Sequence, residues 1–290
     1  MDDDECLAGR FEANRPRLRA VAYRMLGSLS DAEDALQEAW LRASAADASV
    51  VANLEGWFTT IVARVCLDML RSRKSRREEP LEEGHLDVAA ADGPEDEAIL
   101  ADSVGFALLV VLDTLPPAER VAFVLHDTFG LPFDEIAAIT GRSPAAARQL
   151  ASRARRRVRG PASVRTARLA RQRQVAEAFL AAAHGGDLNG LLAVLDPDVV
   201  LHADAAAVPS GVARTIRGAV AVARNARAAS ARSRYSGVAL VNGTPGIVMA
   251  PRGRLTVVLA FTIDENAITR IDVIADPARL AELHLAVLDG

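Results

Sequence analysis

The stretch DEIAAITGRSPAAARQLASRARRRVR, residues 134–159, has the spacing of two short helices joined by a tight turn. Ala137 is small enough for two helices to approach closely, and Gly141 supplies the backbone freedom that such a turn requires. Ser143 followed by Pro144 is a favoured start for the second helix. The stretch therefore predicts a helix-turn-helix.

The second helix of this pattern has one apolar and one polar face. A buried stripe is predicted at Ala147, Leu150, Ala154 and Val158. Arginine and glutamine on the opposite face can make paired hydrogen bonds to guanine and adenine edges. Helical hairpins that bind nothing also have alanine and glycine at these places, so a purely structural hairpin stays open. The DNA-binding interpretation rests on Arg142, Arg148, Gln149, Ser152, Arg153 and Arg156.

Charges are sorted along the 290 residues although the net charge is only −4. Residues 71–77 carry five cations, residues 78–102 carry ten acids without a cation, and residues 153–173 carry nine arginines without an acid. The blocks indicate either solvated helix ends around a linker or two phosphate-binding surfaces joined by an acidic spacer.

The residues before the first basic block show helical periodicity. The segment from Ser30 to Glu33 has the form of a capping box, which predicts Ser30 as a helix cap. An apolar stripe follows at Leu36, Ala39, Trp40 and Ala43. The opposite face is either solvated or a docking surface, and it carries Asp31, Asp34, Gln37, Glu38 and Arg42.

The last 115 or so residues read as α+β. Helices are expected near residues 175–195 and 220–229, and strands are expected at residues 199–203, 238–242, 246–249, 255–263 and 268–274. His202, Asp204 and Asp272 are the candidates for acid–base chemistry, although scattered polar residues in such a domain are more often structural.

Several classes of protein are excluded by simple features of the sequence. The N-terminus is acidic where a secretory signal would be basic and then apolar, and the longest apolar run, Val104–Leu112, is too short for a bilayer. Cys6 and Cys66 match no zinc or redox spacing. A cytoplasmic protein is expected, with no membrane contact, no metal, no cofactor and no catalytic residues.

Taken together, these motifs resemble the bacterial sigma factors of the extracytoplasmic-function type. Residues 23–42 look like the helix of sigma region two that docks on the beta-prime clamp helices of RNA polymerase. Residues 56–77 look like the segment that melts and reads the minus-10 element, and Leu115-Pro116-Pro117 with the helix-turn-helix looks like region four, which reads the minus-35 element. The resemblance implies polymerase docking by the polar face that contains Asp34 and Glu38. It implies promoter contacts by Asn53, Trp57, Arg64, Arg71, Arg73, Lys74, Arg76 and Arg77.

The tail resembles the SnoaL-like, NTF2-type fold, a cone with a pocket. Asp276-Pro277-Ala278-Arg279-Leu280 looks like a characteristic stretch of one sigma-factor group, in which the tail packs on the sigma domains and tunes them. A second stretch of that group, Asp-Gly-Gly-Gly-Lys, reads Asp204-Ala-Ala-Ala-Val208 here. The resemblance implies a regulatory interface at Asp204, Asp276, Pro277, Arg279 and Leu280, and a small apolar ligand in the pocket.

The expected architecture is multidomain, with two all-α domains followed by an α+β domain. The boundaries are residues 5–77 for region two, 78–98 for the acidic linker, 99–160 for region four, and 173–290 for the SnoaL-like domain. The expected function is promoter-specific initiation with core RNA polymerase, modulated by the tail. The alternatives are a polymerase-independent, ligand-sensing helix-turn-helix regulator and a SnoaL-like cyclase or isomerase fused to a DNA-binding module.

Overall fold

The computed structural model describes residues 2–48, 51–78, 105–159, 167–229, 235–251 and 254–287. The predicted acidic linker lies outside the described residues apart from Glu78. The chain forms two compact units, each built from two segments. The first comprises residues 1–103 and 115–155, and the second comprises residues 104–114 and 156–290. None of the helices in the described ranges is long and apolar enough to cross a membrane.

The first unit is helical. Its helices are α1 (Asp2–Leu26), α2 (Leu29–Ser44), α3 (Leu54–Glu78), α5 (Pro117–Phe123, continued by a π-helical turn Val124–Thr128), α6 (Phe133–Thr140) and α7 (Pro144–Arg159, whose last turn belongs to the second unit). The predicted stripe on α2 is confirmed, since Leu36, Ala39 and Ala43 are buried and pack toward α1 and α3. Helix α3 also packs against α5 and α6 within this unit.

The cap of α2 lies two residues before the predicted one. The Oγ of Ser28 accepts a hydrogen bond from the backbone N–H of Asp31 at 3.4 Å, and Ser30 is already inside the helix. The prediction of Ser30 as cap was therefore wrong. Gly27, with φ 78°, ends the preceding helix directly before Ser28, so the next helix starts earlier than the capping-box spacing suggests.

Ser28→Ala should lower the free energy of unfolding by about 0.5–1 kcal/mol, because the first turn of α2 loses a side-chain acceptor. Ser30→Ala is the matched control and should change stability less, since among the described residues the Ser30 hydroxyl hydrogen-bonds only to the Ser28 hydroxyl, at 2.9 Å. Denaturant unfolding of the two variants makes the comparison. An equal loss in both would contradict the assignment of the cap.

The helix-turn-helix is confirmed. Gly141 has φ 69°, the left-handed conformation expected at the end of α6. The Oγ of Ser143 accepts from the N–H of Ala146 at 3.2 Å and caps α7. The predicted stripe of α7 is buried at Ala147, Leu150, Ala154 and Val158, together with Ala151.

The second unit is α+β, as expected. Its elements are α4 (Phe106–Asp113), α8 (Ala167–Gly185), α9 (Leu188–Val194), β1 (Leu195–Ala203), β2 (Arg214–Arg217), α10 (Ala219–Ala228), β3 (Ser236–Val241), β4 (Thr244–Met249), β5 (Val257–Asp264), β6 (Ala267–Ile274), α11 (Pro277–Glu282) and β7 (Leu285–Ala286). The strand order is β2-β1-β6-β5-β4-β3-β7, with β1 and β6 parallel and the other neighbours antiparallel. Sequence patterns missed β2, β7 and α11, each six residues or shorter.

Helices α8, α9 and α10 cover one face of this sheet. The core there includes Phe179 of α8 and Phe261 of β5, whose ring centroids lie 5.2 Å apart, edge to face. Val222 and Ala223 of α10 belong to the same cluster. This core fixes β1 and β6, whose other face carries His202 and Asp272.

Helix α4 packs with the sheet, against β3, β4 and β7. Apart from Asp113 it consists of apolar residues, and Leu109, Val110, Val111 and Leu112 are all buried. Strand β4 buries residues of both faces, since Ile247 belongs to the core under the helices and its neighbour Val248 is fully buried outside that cluster. This grouping differs from the predicted boundary at residue 99, which places the same helix with the helix-turn-helix.

Candidate functional site

The polar face of α2 presents carboxylates at its exposed surface. Asp34, Gln37 and Glu38 are exposed. Glu38 Oε1 accepts from Arg42 Nε at 2.8 Å, and Arg42 also reaches Asp68 of α3 at 3.5 Å. The described contacts leave Asp34 without a counter-charge. This face can therefore attract a basic partner.

A groove beside this face brings in helix α1, which sequence reasoning did not include. Its volume is about 410 Å³, and Asp34 and Gln37 share it with Phe11, Glu12 and Trp40. The rings of Phe11 and Trp40 lie 5.2 Å apart and form the apolar wall. Phe11 lies twelve residues before Tyr23, the first residue of the predicted docking pattern, so only the folded unit brings its ring beside Trp40.

Asp31 and Arg73 were predicted for two different surfaces, yet they contact each other. The guanidinium of Arg73 lies 2.5 Å from Asp31, and a second nitrogen donates to the carbonyl of Leu26 at 3.3 Å. Both side chains are half-buried. In this structure they connect α3 to the start of α2 instead of facing a partner.

The predicted minus-10 residues lie along α3. Asn53 is exposed and its Oδ1 caps the helix by accepting from the N–H of Gly56 at 3.0 Å, and Trp57 packs beside Phe58 with centroids 5.4 Å apart. Arg64 donates to the carbonyl of Ala138 in α6 at 3.2 Å. Arg71 is exposed, 3.9 Å from Asp68. The side chains of Lys74, Arg76 and Arg77 lie outside the described residues.

The outer face of α7 is exposed over its length. The predicted residues Arg142, Arg148, Gln149, Ser152, Arg153 and Arg156 are all solvent-accessible. The Arg148 guanidinium lies 5.5 Å from the centre of the Phe133 ring, which orients it, and Arg153 lies 3.5 Å from Glu119. Arg148 and Gln149 are adjacent in the first half of the helix, where base-reading side chains are found in this motif.

In the second unit, the structure joins two stretches singled out from the sequence. Asp204 Oδ2 accepts from the N–H groups of Ala275 and Asp276 at 3.0 and 3.1 Å, and from Arg279 Nη1 at 3.2 Å. Its Oδ1 accepts from the N–H of Ala207 at 3.0 Å. Asp276 in turn caps α11, which begins at Pro277 and contains the half-buried Leu280.

These contacts set the charge state of Asp204. Burial alone works to raise its pKa, but the three backbone N–H donors and the Arg279 guanidinium outweigh burial and hold the pKa below its ordinary value. The carboxylate is therefore ionised near neutral pH and serves as a structural acceptor.

Asp204→Asn should lower the free energy of unfolding of the second unit by about 1–3 kcal/mol at pH 7, because an amide nitrogen replaces one charged acceptor. Since the folded pKa is depressed, the contribution is complete above the ordinary aspartate pKa and is lost as pH falls through the folded value. The gap between variant and wild type should thus close on acidification. Asp272→Asn is the control, and a gap that is constant with pH would contradict the assignment.

His202, Asp204 and Asp272 line one cavity of about 350 Å³, shared with Arg214, Thr215, Arg270 and Arg279. His202 Nδ1 lies 2.9 Å from Thr215 Oγ1, and Arg270 donates two hydrogen bonds of 2.8 Å to Asp272. Ala203, Ala205, Ala213 and Val273 complete the lining, which is therefore mixed polar and apolar.

Neither metal binding nor thiol chemistry is indicated within the described ranges. These ranges contain no group of three or more His, Cys, Asp or Glu side chains that could hold a metal ion. Cys66 is fully buried in the first unit, and burial raises the pKa of its thiol to about 12. The thiol is inert in this state.

Comparisons with known proteins cover the whole chain. Residues 10–76 match the family Sigma-70 region 2, and residues 106–158 match Sigma-70, region 4. The chain is 35% identical over 301 residues to the probable ECF RNA polymerase sigma factor SigI of Mycobacterium tuberculosis, covering 100% of both. It is 39% identical over 293 residues to the ECF RNA polymerase sigma factor SigJ of the same organism, covering 92% of this chain and 91% of the relative. The crystal structure of SigJ aligns with 94% of this chain and 98% of its own, at 35% identity and a TM-score of 0.47.

Proposed function

The chain belongs to the extracytoplasmic-function family of RNA polymerase sigma factors, and on that basis we propose how its surfaces divide the work of promoter-directed transcription initiation. The polar face of α2 binds core polymerase, and α3 and α7 contact promoter DNA. The α+β tail modulates the activity of both sigma regions. The single observation that carries this proposal is the coexistence of an exposed acidic helix face with an exposed Arg/Gln recognition helix in one unit. Run-off transcription with purified core polymerase and a cognate promoter tests it.

The proposed docking surface consists of Asp34, Gln37, Glu38 and the groove walls Phe11 and Trp40. Its carboxylates suit basic residues on the clamp helices of the beta-prime subunit, and its apolar groove suits a side chain projecting from a helix. Arg42 belongs to this surface as the partner that orients Glu38. Asp31 stabilises this surface indirectly, because its ion pair with Arg73 connects α3 to the start of α2.

For the minus-35 element, we assign base reading to Arg148 and Gln149 and phosphate contacts to Arg142, Ser152, Arg153 and Arg156. A forked guanidinium suits guanine and an amide suits adenine. Arginines farther along the helix suit the backbone, which supplies affinity without sequence preference.

Arg148→Ala combined with Gln149→Ala should cut discrimination between a cognate and a scrambled minus-35 element by roughly thirtyfold or more, because each of the two paired contacts contributes about 1–3 kcal/mol. Arg148→Lys is the matched control for charge, since it keeps the cation and loses the fork. Promoter binding by the holoenzyme measures both. Unchanged discrimination in the double variant would exclude these two side chains as readers.

The packing of α3 against α5 and α6 supports regulation within the chain. Arg64, assigned to the minus-10 contact, is bonded to Ala138 of α6, and Arg24 of α1 lies 5.2 Å from the Phe129 ring. Region two and region four thus contact each other in the first unit. Promoter elements that lie far apart on DNA require these contacts to open, and we assign control of that opening to the tail through Asp204, Asp276 and Arg279.

The two alternatives fit the structure less well. A polymerase-independent regulator leaves the exposed acidic face of α2 without a purpose. A cyclase or isomerase needs a carboxylate whose pKa is raised toward neutrality, whereas Asp204 shifts the other way and Asp272 is held by Arg270. We therefore assign no bond chemistry to the chain, and we place it in the cytoplasm with core polymerase. A small apolar ligand for the tail stays a prediction, to be tested by the effect of hydrophobic metabolites on melting temperature.

A further inference from the structure

Between Asp204 and Asp264 the chain has eight arginines and not one aspartate or glutamate. The whole chain has 38 acidic residues and a net charge of −4, so this segment reverses the charge balance of the molecule. It lies in the α+β tail, outside the sequence ranges assigned above to DNA. A strongly positive segment in an acidic protein indicates a surface for an anionic partner.

The structure describes four of these arginines on two consecutive elements. Arg214 and Arg217 lie on β2, the edge strand of the sheet, and Arg224 and Arg227 lie on α10. Gly218, with φ 86°, turns the chain directly from one element into the other. All four side chains are exposed, and the two on α10 are three residues apart and share one face of the helix.

None of these four arginine side chains has a hydrogen bond or an ion pair to another residue in the described part of the chain. Other arginines of the same unit are neutralised, since Arg173 pairs with Glu177, Arg270 with Asp272 and Arg279 with Asp204. The four therefore keep their full positive charge available.

Acids on the neighbouring elements do not cancel this charge. Asp187 at the start of α9 is used by the N–H of Asn189, and Asp196 at the start of β1 by the N–H of Asp198. Asp198, also on β1, is exposed. Asp187 and Asp196 keep their negative charge while they accept these backbone hydrogen bonds, so four arginines face three carboxylates on the neighbouring elements, and no ion pair joins the two sets in the described part of the chain.

We propose that this arginine edge, formed by Arg214, Arg217, Arg224 and Arg227, binds the sugar-phosphate backbone of duplex DNA. Helix α10 is about 15 Å long, and each DNA strand has a phosphate about every 3.4 Å along the axis, so several phosphates lie within reach. Neither β2 nor α10 contains an aromatic residue, and Val220 is the apolar side chain on the arginine face of α10. Protein interfaces rely on buried aromatic anchors, whereas backbone contacts to DNA need only cations. The proposal does not depend on polymerase docking.

The test is the salt dependence of binding between the full chain and a fluorescent duplex of random sequence, measured by anisotropy between 50 and 200 mM salt. Arg224→Ala combined with Arg227→Ala should lower the slope of log K against log salt by about 2 and weaken binding about tenfold at the lower salt. Arg173→Ala combined with Arg270→Ala removes the same charge from the same unit, but at arginines that are already paired, and should leave the slope unchanged.

Three results would overturn the proposal. The first is equal slopes for the two double variants, and the second is no measurable DNA binding by the wild type at 50 mM salt. The third is normal DNA binding by the Arg224/Arg227 variant together with a weakened affinity for core polymerase, which would assign the edge to an acidic protein surface. Melting temperatures check that both variants fold, as expected for exposed side chains.

Discussion

Asp34→Lys combined with Glu38→Lys is expected to weaken capture of core polymerase about a hundredfold. Both carboxylates are exposed on one face of α2, and the two changes shift its charge by four. Placing like charges across an interface costs several kcal/mol, and about 3 kcal/mol corresponds to a hundredfold in affinity. Binding of labelled full chain to purified core at physiological salt measures the loss, and run-off transcription should fall with it.

The control for this prediction reverses two exposed carboxylates of the tail, Asp198→Lys combined with Glu282→Lys. The net charge changes equally, so a general effect of charge on association would appear in both variants. The fold of the first unit should survive in the docking variant, because the Glu38–Arg42 pair is exposed and such pairs contribute about 0.3–0.5 kcal/mol. Polymerase affinity that is equal in the two variants would rule out this face as the docking surface.

Ending the chain before Arg173 is expected to abolish most promoter-dependent output and to make the protein associate. The cut removes every strand that covers α4, a helix with four consecutive buried apolar residues. Each such side chain returned to water costs about 1.5–3 kcal/mol. Chains that associate through this exposed helix are not available to core polymerase, so promoter-dependent output should fall. Light scattering and run-off transcription at equal protein concentration are the measurements.

A chain ended before Asp276 is the matched comparison. It keeps β3 and β4 over α4 and loses only β7 from that cover, but it also loses Asp276 and Arg279 from the contact with Asp204. This chain should stay monodisperse while its regulation changes. If the chain that ends before Arg173 were monodisperse and gave full transcription output, α4 would not require the sheet to keep the protein from associating.

Local patterns predicted the helix-turn-helix because each of its signals acts within a few residues. The glycine at 141, the cap at Ser143 and the stripe from Ala147 to Val158 all depend on near neighbours along one chain segment. The same holds for the apolar stripe of α2. The long strands of the tail were placed to within two to four residues for the same reason.

Contacts between distant segments were not predictable in this way. The pairing of Asp31 with Arg73, the bond from Arg64 to Ala138 and the placement of α4 on the sheet all depend on how the units fold. The cap at Ser28 was missed because the prediction followed the capping-box spacing from Ser30 to Glu33. Gly27, which ends α1, is the signal that places the start of α2 earlier. The short strands β2 and β7 carry too few residues for a periodicity of two to stand out.

Helix α4 packs against strands that come much later in the sequence, and this separation has a consequence for protein synthesis. Helix α4 ends at residue 113, and the strand that first covers it, β3, begins at residue 236. A ribosome adds about 5–20 residues per second, so the apolar helix α4 is exposed for on the order of ten seconds before β3 has been synthesised. Nascent chains of this protein are therefore natural clients for ribosome-associated chaperones, and slow translation lengthens their exposure.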